Sequence, residues 1–231
     1  MLVGLCLVVL GAGGYLAARE TSLFAVSTIE VRGAPPGVAA EVRAALQPLV
    51  GRSLLKVQRE DVERPLGRLS VVAGASFDRA FPHTLRVYVR AEAPLAVLRR
   101  GSEAWLVSAA GRVVRVMPNP RLSSLPRIWV PRAASITVGA VLADEGAGRA
   151  LRALVPLRGL PLLPRVRDVL ADGELTLVLR SGLEIRLGTA RRAPLKLAVA
   201  REILPQLTPP GYLDVSLPAR PVAGSKPSTR R

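Results

Sequence analysis

Chemistry in this chain of 231 residues would have to start from very few side chains. The single histidine, His83, stands beside Pro82 at the entry to an alternating apolar segment, with no cysteine in reach for a dyad. That setting reads as a surface turn. Serine and aspartate are plentiful enough for a triad, yet no G-x-S-x-G elbow precedes a helix. Asp168, Asp172 and Glu174 offer carboxylates to a cation, but their spacing puts them at the solvated end of a hairpin. The only cysteine, Cys6, lies in an N-terminal apolar run and permits neither an intramolecular disulfide nor a Cys-based metal site. The residues before it, Val3-Gly4-Leu5, lack the small side chain that acylation at Cys6 would require. Trp105 and Trp129 fall in apolar segments and read as core or domain-junction residues, because a large aromatic buries much area and this chain has few of them. The reading is of a protein that is not an enzyme, with no cofactor, no metal and no small-molecule substrate.

Charge suggests a different class of activity. The formal net charge is +16, nearly all of it from arginine, which suits nucleic acid, anionic lipid or an acidic polymer. Three Phe, three Tyr and two Trp over the whole chain make no aromatic-and-basic platform for stacking bases, so nucleic acid is not expected. A basic, membrane-tethered protein that binds nucleic acid or another polymer remains the alternative, and its duplex affinity would fall steeply with salt.

The N-terminal segment decides how such a protein is held. Leu2 to Ala18 carries no charged side chain and ends at Arg19-Glu20, about the shortest run that spans a hydrocarbon core roughly 30 Å thick. Gly13 and Ala17 give it a small-xxx-small face for packing against another helix. A cleaved signal peptide would have Leu16 and Ala18 as a mediocre cleavage pattern and no basic n-region. Gly11 and Gly13 match the first two glycines of a dinucleotide loop, but Leu16 occupies the third position and the strand–helix alternation that must follow is missing. The expectation is a transmembrane anchor over 1–20. No Lys or Arg precedes it, against the positive-inside rule, which implies a basic cytoplasmic tail upstream of Met1. Mass spectrometry of the native protein that returned Met1 as its N-terminus would reject that tail.

The elements behind these side chains follow from periodicity. Val26 to Val31 alternates and stops at Gly33, a strand. Val38, Val42, Ala45, Leu46 and Leu49 recur at helical spacing, and Val62, Leu66 and Leu69 form a second helical stripe with Glu60, Asp61 and Glu63 near its start. Pro65 predicts a kink there, or a start later than Gln58. Val72–Arg79 and Thr84–Arg90 complete a β-α-α-β-β block. Beyond Pro94 come short strand candidates at 95–98, 105–107, 112–116 and 128–130, a helix over Asp144–Val155, a meander at 165–170, 174–180 and 183–187 turning at Asp172-Gly173 and Ser181-Gly182, a helix from Pro194 to Leu207, and a last strand, Tyr212–Leu217. After Pro218 nothing apolar is left to pack, which predicts a disordered basic tail over 219–231.

Several stretches of local text then stand out in order: Val26-Ser27-Thr28-Ile29-Glu30-Val31-Arg32-Gly33; Gly51-Arg52-Ser53-Leu54-Leu55-Lys56-Val57; the run Phe81 to Ala96; Trp105-Leu106-Val107; Gly111-Arg112-Val113; Leu125-Pro126; Gly182 to Gly188; Lys196-Leu197; Tyr212-Leu213-Asp214-Val215; and Arg220-Pro221-Val222. The series resembles the FtsQ/DivIB family of bacterial cell-division proteins and covers nearly everything after Leu23. Gln58 and Ser108 depart from it, standing where the family usually shows Asp. The resemblance implies an α+β protein: an N-terminal transmembrane helix, a β-α-α-β-β POTRA domain over 24–93, and a mostly antiparallel β domain with two helices over 94–218. It further implies a single-pass protein of the cytoplasmic (inner) membrane, gathered at mid-cell with its bulk in the extracytoplasmic space. There it would act as a divisome scaffold in septal peptidoglycan synthesis, with FtsB and FtsL bound near the last strand and an FtsK-like protein near the POTRA domain.

The mode of binding expected from the sequence is strand addition. If Tyr212, Leu213, Asp214, Val215, Ser216 and Leu217 form an outer strand, their free main-chain groups invite a strand from another chain, with Pro218 and Pro221 limiting its extent. On that reading Val215→Pro removes a donor at the rim and abolishes partner capture.

Overall fold

The computed structural model describes residues 22–119 and 123–225. The apolar run with its anchor and glycine-loop readings, Cys6, and the last six residues of the expected tail lie outside the described residues. The chain divides between Glu92 and Ala93 into two compact units.

The first unit places strand β1 (Thr28–Arg32), helix α1 (Pro36–Leu46), helix α2 (Arg59–Gly67), β2 (Val72–Ala80) and β3 (Thr84–Ala91) in the expected order. The strands lie β1-β3-β2, with β1 parallel and β2 antiparallel to β3. Val38, Val42 and Leu46 of α1 and Val62 and Leu66 of α2 are buried, as are Leu85, Val87 and Val89 of β3, which alternate with outward residues. Pro36 opens α1 in the first turn, where a missing N–H is harmless. Helix α2 begins at Arg59, one residue past Gln58, and takes Pro65 into its final turns, so the helix simply ends at Gly67. Its start is a capping box: the Gln58 N–H donates to the Asp61 carboxylate at 2.8 Å. That bond, with Arg52 alongside, holds Asp61 below the usual carboxylate range.

The second unit is one nine-stranded sheet with two helices. In chain order it comprises β4 (Pro94–Arg100), β5 (Glu103–Ser108), β6 (Val113–Val116), β7 (Arg127–Trp129), α3 (Glu145–Leu154), β8 (Val166–Leu170), β9 (Leu175–Leu179), β10 (Glu184–Gly188), α4 (Ala193–Ile203), β11 (Gly211–Asp214) and β12 (Val222–Ser225). Across the sheet the order is β12-β11-β10-β9-β8-β7-β4-β5-β6. Five neighbouring pairs are antiparallel and three, β10/β11, β7/β8 and β4/β7, are parallel. Asp144 caps α3, its carboxylate accepting the Ala147 N–H at 2.7 Å. The α3 stripe of Ala147, Ala150, Leu151 and Leu154 and the α4 stripe of Ala193, Leu197 and Ala200 share one core with Ile128, Leu177, Ile185 and Leu213. The hairpin turns at Gly173 and Gly182 sit where the sequence put them, at φ +84° and +88°, a region open to glycine.

Two expectations are corrected here. Tyr212–Leu217 is not the rim of the sheet, and the segment after Pro218 is not wholly without structure. A turn closed by the Arg220 N–H on the Leu217 carbonyl reverses the chain, and Val222–Ser225 adds a further strand outside β11.

Candidate functional site

Strand β11 is paired on both sides. Glu184, Ile185 and Arg186 of β10 lie opposite Tyr212, Leu213 and Asp214 in parallel register, and Gly224, Ala223 and Val222 of β12 lie opposite the same three residues on the other side. The six candidate residues therefore divide by role. Leu213 and Val215 are fully buried in the shared core, and the Val215 N–H is committed to the Arg186 carbonyl at 2.9 Å. Proline at Val215 would thus break the fold before it touched any docking edge. Tyr212 and Asp214 point to the opposite face, Ser216 turns the chain by donating its N–H to Asp214 at 2.9 Å, and Leu217 is 68% exposed. On this side of the sheet the outermost strand among the described residues is β12, as β6 is on the other.

The rim strand rests on an aromatic shelf. Tyr212 faces Gly224 across the pair, and a Cβ at Gly224 would stand only 2.7–2.9 Å from three atoms of the Tyr212 side chain. The Arg186 guanidinium lies 4.1 Å from the centre of the same ring. The ring is thus held by β10 and covers the backbone of β12, a cross-strand aromatic over a glycine. Lys196 of α4 is almost wholly buried and donates from Nζ to the Leu187 and Thr189 carbonyls at 2.7 and 3.0 Å, tying the helix to the end of β10. Burial pushes the Lys196 ammonium down, and Asp214 opposes that shift.

Asp214 is held below the usual carboxylate range, first by the Ser216 hydroxyl, then by the Ser216 N–H, Arg186 and Lys196, against the cost of burial. A carboxyl whose folded pKa is depressed lends stability that is fully present above its unfolded value near ~3.9 and is lost as pH falls through the folded value. Asp214→Asn is therefore expected to flatten the acid limb of stability in this unit. Urea midpoints followed from neutral pH to about pH 3 check this, and an acid limb identical to the parent's would contradict it.

Elsewhere the candidate chemical groups stay apart. His83 is exposed, 3.2 Å through Nδ1 from the Ala25 carbonyl. Asp168 pairs with Arg167, and no group of three metal-ligating residues occurs among the described residues. Trp105 is core, as expected. Trp129 is not: it is 48% exposed, with Arg99 over its ring at 5.3 Å and its indole N–H donating to Asp168 at 3.4 Å.

A three-stranded sheet under two helices, followed by a long mixed sheet with a short rim strand, can be set beside known families. Residues 24–90 match the POTRA domain, FtsQ-type, and residues 96–216 match Cell division protein FtsQ/DivIB, C-terminal. The chain belongs to the FtsQ/DivIB family. It is 27% identical to Cell division protein FtsQ of Streptomyces venezuelae over 230 residues, covering 96% of this chain and 83% of that protein. It is 30% identical to Cell division protein FtsQ of Xanthomonas campestris pv. campestris over 172 residues, which is 74% of this chain and 58% of that one. This FtsQ/DivIB protein is thus a cell-division protein of POTRA-plus-β organisation. Among its described residues no helix is long and apolar enough to cross a membrane, and the uncharged run at 2–18 lies outside them. The C-terminal family match stops at 216, short of β12.

Sequence reasoning missed the rim strand, the Arg186–Tyr212–Gly224 stack and the buried Lys196. The lysine had a signal: it falls on the α4 stripe with Ala193, Leu197 and Ala200, a position an unpaired charge avoids.

Proposed function

We propose that this chain is a non-catalytic divisome scaffold that captures FtsB and FtsL by strand addition and so links early and late division proteins during septal peptidoglycan synthesis. It is anchored in the cytoplasmic membrane by the run at 2–18, with both units outside the cytoplasm, and an FtsK-like protein meets the POTRA unit. The observation that carries this reading is the outer side of β12, four residues whose second ladder is unpaired among the described residues. Val222 at the start of that strand and Leu217 before the turn that leads to it are exposed apolar side chains that an incoming strand could cover. Tyr212 to Ser216 then serve as the shelf behind the rim, with Leu217 alone of the six reaching the partner. The test is capture of FtsB and FtsL extracytoplasmic segments by the chain with and without residues 222–225. Binding is expected to vanish with the strand, and undiminished capture would refute the placement.

A further inference from the structure

The first unit ends in a tip that the scaffold reading does not use. Strands β1 and β3 begin there and β2 finishes there, so it is the end of the sheet at which the chain arrives from residue 21. All three phenylalanines of the protein, Phe24, Phe77 and Phe81, fall on it. Phe81 is 54% exposed and Leu23 65%, although Phe81 sits edge-to-face on Phe24 at 5.5 Å.

The tip is knit tightly enough to hold those side chains in place. The Leu54 N–H donates to the Phe24 carbonyl, the Val26 N–H to Arg52, and the Ser27 N–H to His83, joining three loops into one cap. Beside the aromatic rings lies a notch of about 530 Å³ lined by Leu55, Arg59, Phe77, Asp78, Arg79 and Phe81. Arg79 is fixed there by donating to the Val57 carbonyl at 2.6 Å with its guanidinium 5.7 Å from the Phe77 ring centre. Around the cap stand Arg52, Lys56, Arg59 and Arg79, with Asp61 3.2 Å from Arg52, Glu63 3.5 Å from Arg59, and Asp78 beside Arg79 in the notch.

We propose that this tip docks on the bilayer surface, with Leu23 and Phe81 in the headgroup region and Arg59 and Arg79 on lipid phosphodiesters. The proposal rests on the anchor reading of residues 2–18. Only Arg19, Glu20, Thr21 and Ser22 separate that run from Leu23. Five peptide spans reach at most about 17 Å, which confines Leu23 to the neighbourhood of the interface. An aromatic and aliphatic patch ringed by arginine and lysine is the composition that an interface favours, the rings at headgroup depth and the long cationic side chains at the phosphates. The same patch facing bulk water would be an exposed apolar surface with no cover.

The experiment uses the full chain reconstituted in vesicles of phosphatidylethanolamine and phosphatidylglycerol, with acyl chains brominated near the headgroup or unbrominated. Phe81→Trp adds an emitter at the tip, and Trp105 and Trp129, both in the second unit, supply the parent baseline. The added emission is expected to fall about twofold with brominated lipid while the parent's is unchanged. Lys56→Glu with Arg59→Glu is expected to remove most of that loss. Added emission that escapes quenching in a chain that floats with the vesicles overturns the docking and leaves the anchor standing. Quenching indifferent to the charge reversals reduces the contact to tethering and overturns it as well. A chain that does not float with the vesicles overturns the anchor reading, and the docking with it.

Discussion

Proline at Val222 and, separately, at Ala223 is expected to lower the affinity for an FtsB or FtsL segment by about ten- to a hundredfold, with the nine-stranded sheet otherwise intact. Neighbouring residues of a strand send their N–H groups to opposite sides, so one of the two donates outward to a partner and the other inward to β11. One substitution removes a donor at the rim, and the other loosens the rim from its shelf. Losing a hydrogen bond so as to strand its acceptor costs about 1–3 kcal/mol, and ~1.4 kcal/mol is tenfold in affinity. The sheet should survive because β12 is an edge strand of four exposed or half-exposed residues, and the core lies under β4 to β11. Calorimetric titration of each variant, with circular dichroism as the control for folding, measures the effect. The same assay on a chain lacking 222–225 separates two placements of the site. Removing β12 bares the outer side of Tyr212–Asp214, so a partner that read β11 directly would bind as well or better, whereas one that reads β12 is lost.

Alternating Leu85, Val87 and Val89 mark β3 because one face of that strand is buried and the other is not, and the same logic found β8 to β10 and their glycine turns. Strand β12 reads Val-Ala-Gly-Ser, buries almost nothing and follows two prolines, so periodicity had no contrast to detect. Its existence is decided by a long-range fact, the open side of β11, which no local window contains. The rim of the sheet was therefore placed one strand too far in. Tyr212 was legible as a strand residue, and its pairing with Gly224 was not, because that pairing depends on a turn at 217–220 whose geometry the sequence only brackets with Pro218 and Pro221. Trp129 was misplaced for a related reason: aromatic area argues for burial in general, whereas a strand of three residues near the middle of the sheet turns alternate side chains to its uncovered face. Pro65 predicted a kink or a start later than Gln58; the helix does start later, at Arg59, and in its nine residues Pro65 already belongs to the last turns, where a lost hydrogen bond interrupts little.

Gly224→Val is expected to release the rim strand and weaken partner capture by tenfold or more, and Tyr212→Ala in the same chain is expected to restore most of it. The side chain of Tyr212 lies within 2.7–2.9 Å of where the new Cβ must stand, and the Arg186 guanidinium 4.1 Å from the ring centre resists its withdrawal. Overpacking of this kind costs about 1–3 kcal/mol where the surroundings cannot yield. Here the weaker party is β12, held by one ladder on one side, so it is the strand that moves and not the ring. Tyr212→Ala alone gives up the ring's cover and its contact with Arg186, about 0.5–1 kcal/mol, a smaller loss than the clash it relieves in the double variant. The two substitutions should therefore couple by roughly 1–3 kcal/mol in a double-mutant cycle read by partner affinity. Additive effects would mean that the ring and the glycine act independently and that the shelf does not set the position of the rim. Hydrogen exchange adds a check that needs no partner: amides of 222–225 should lose protection in Gly224→Val and regain it when Tyr212 is cut back, with those of β9 and β10 unchanged throughout.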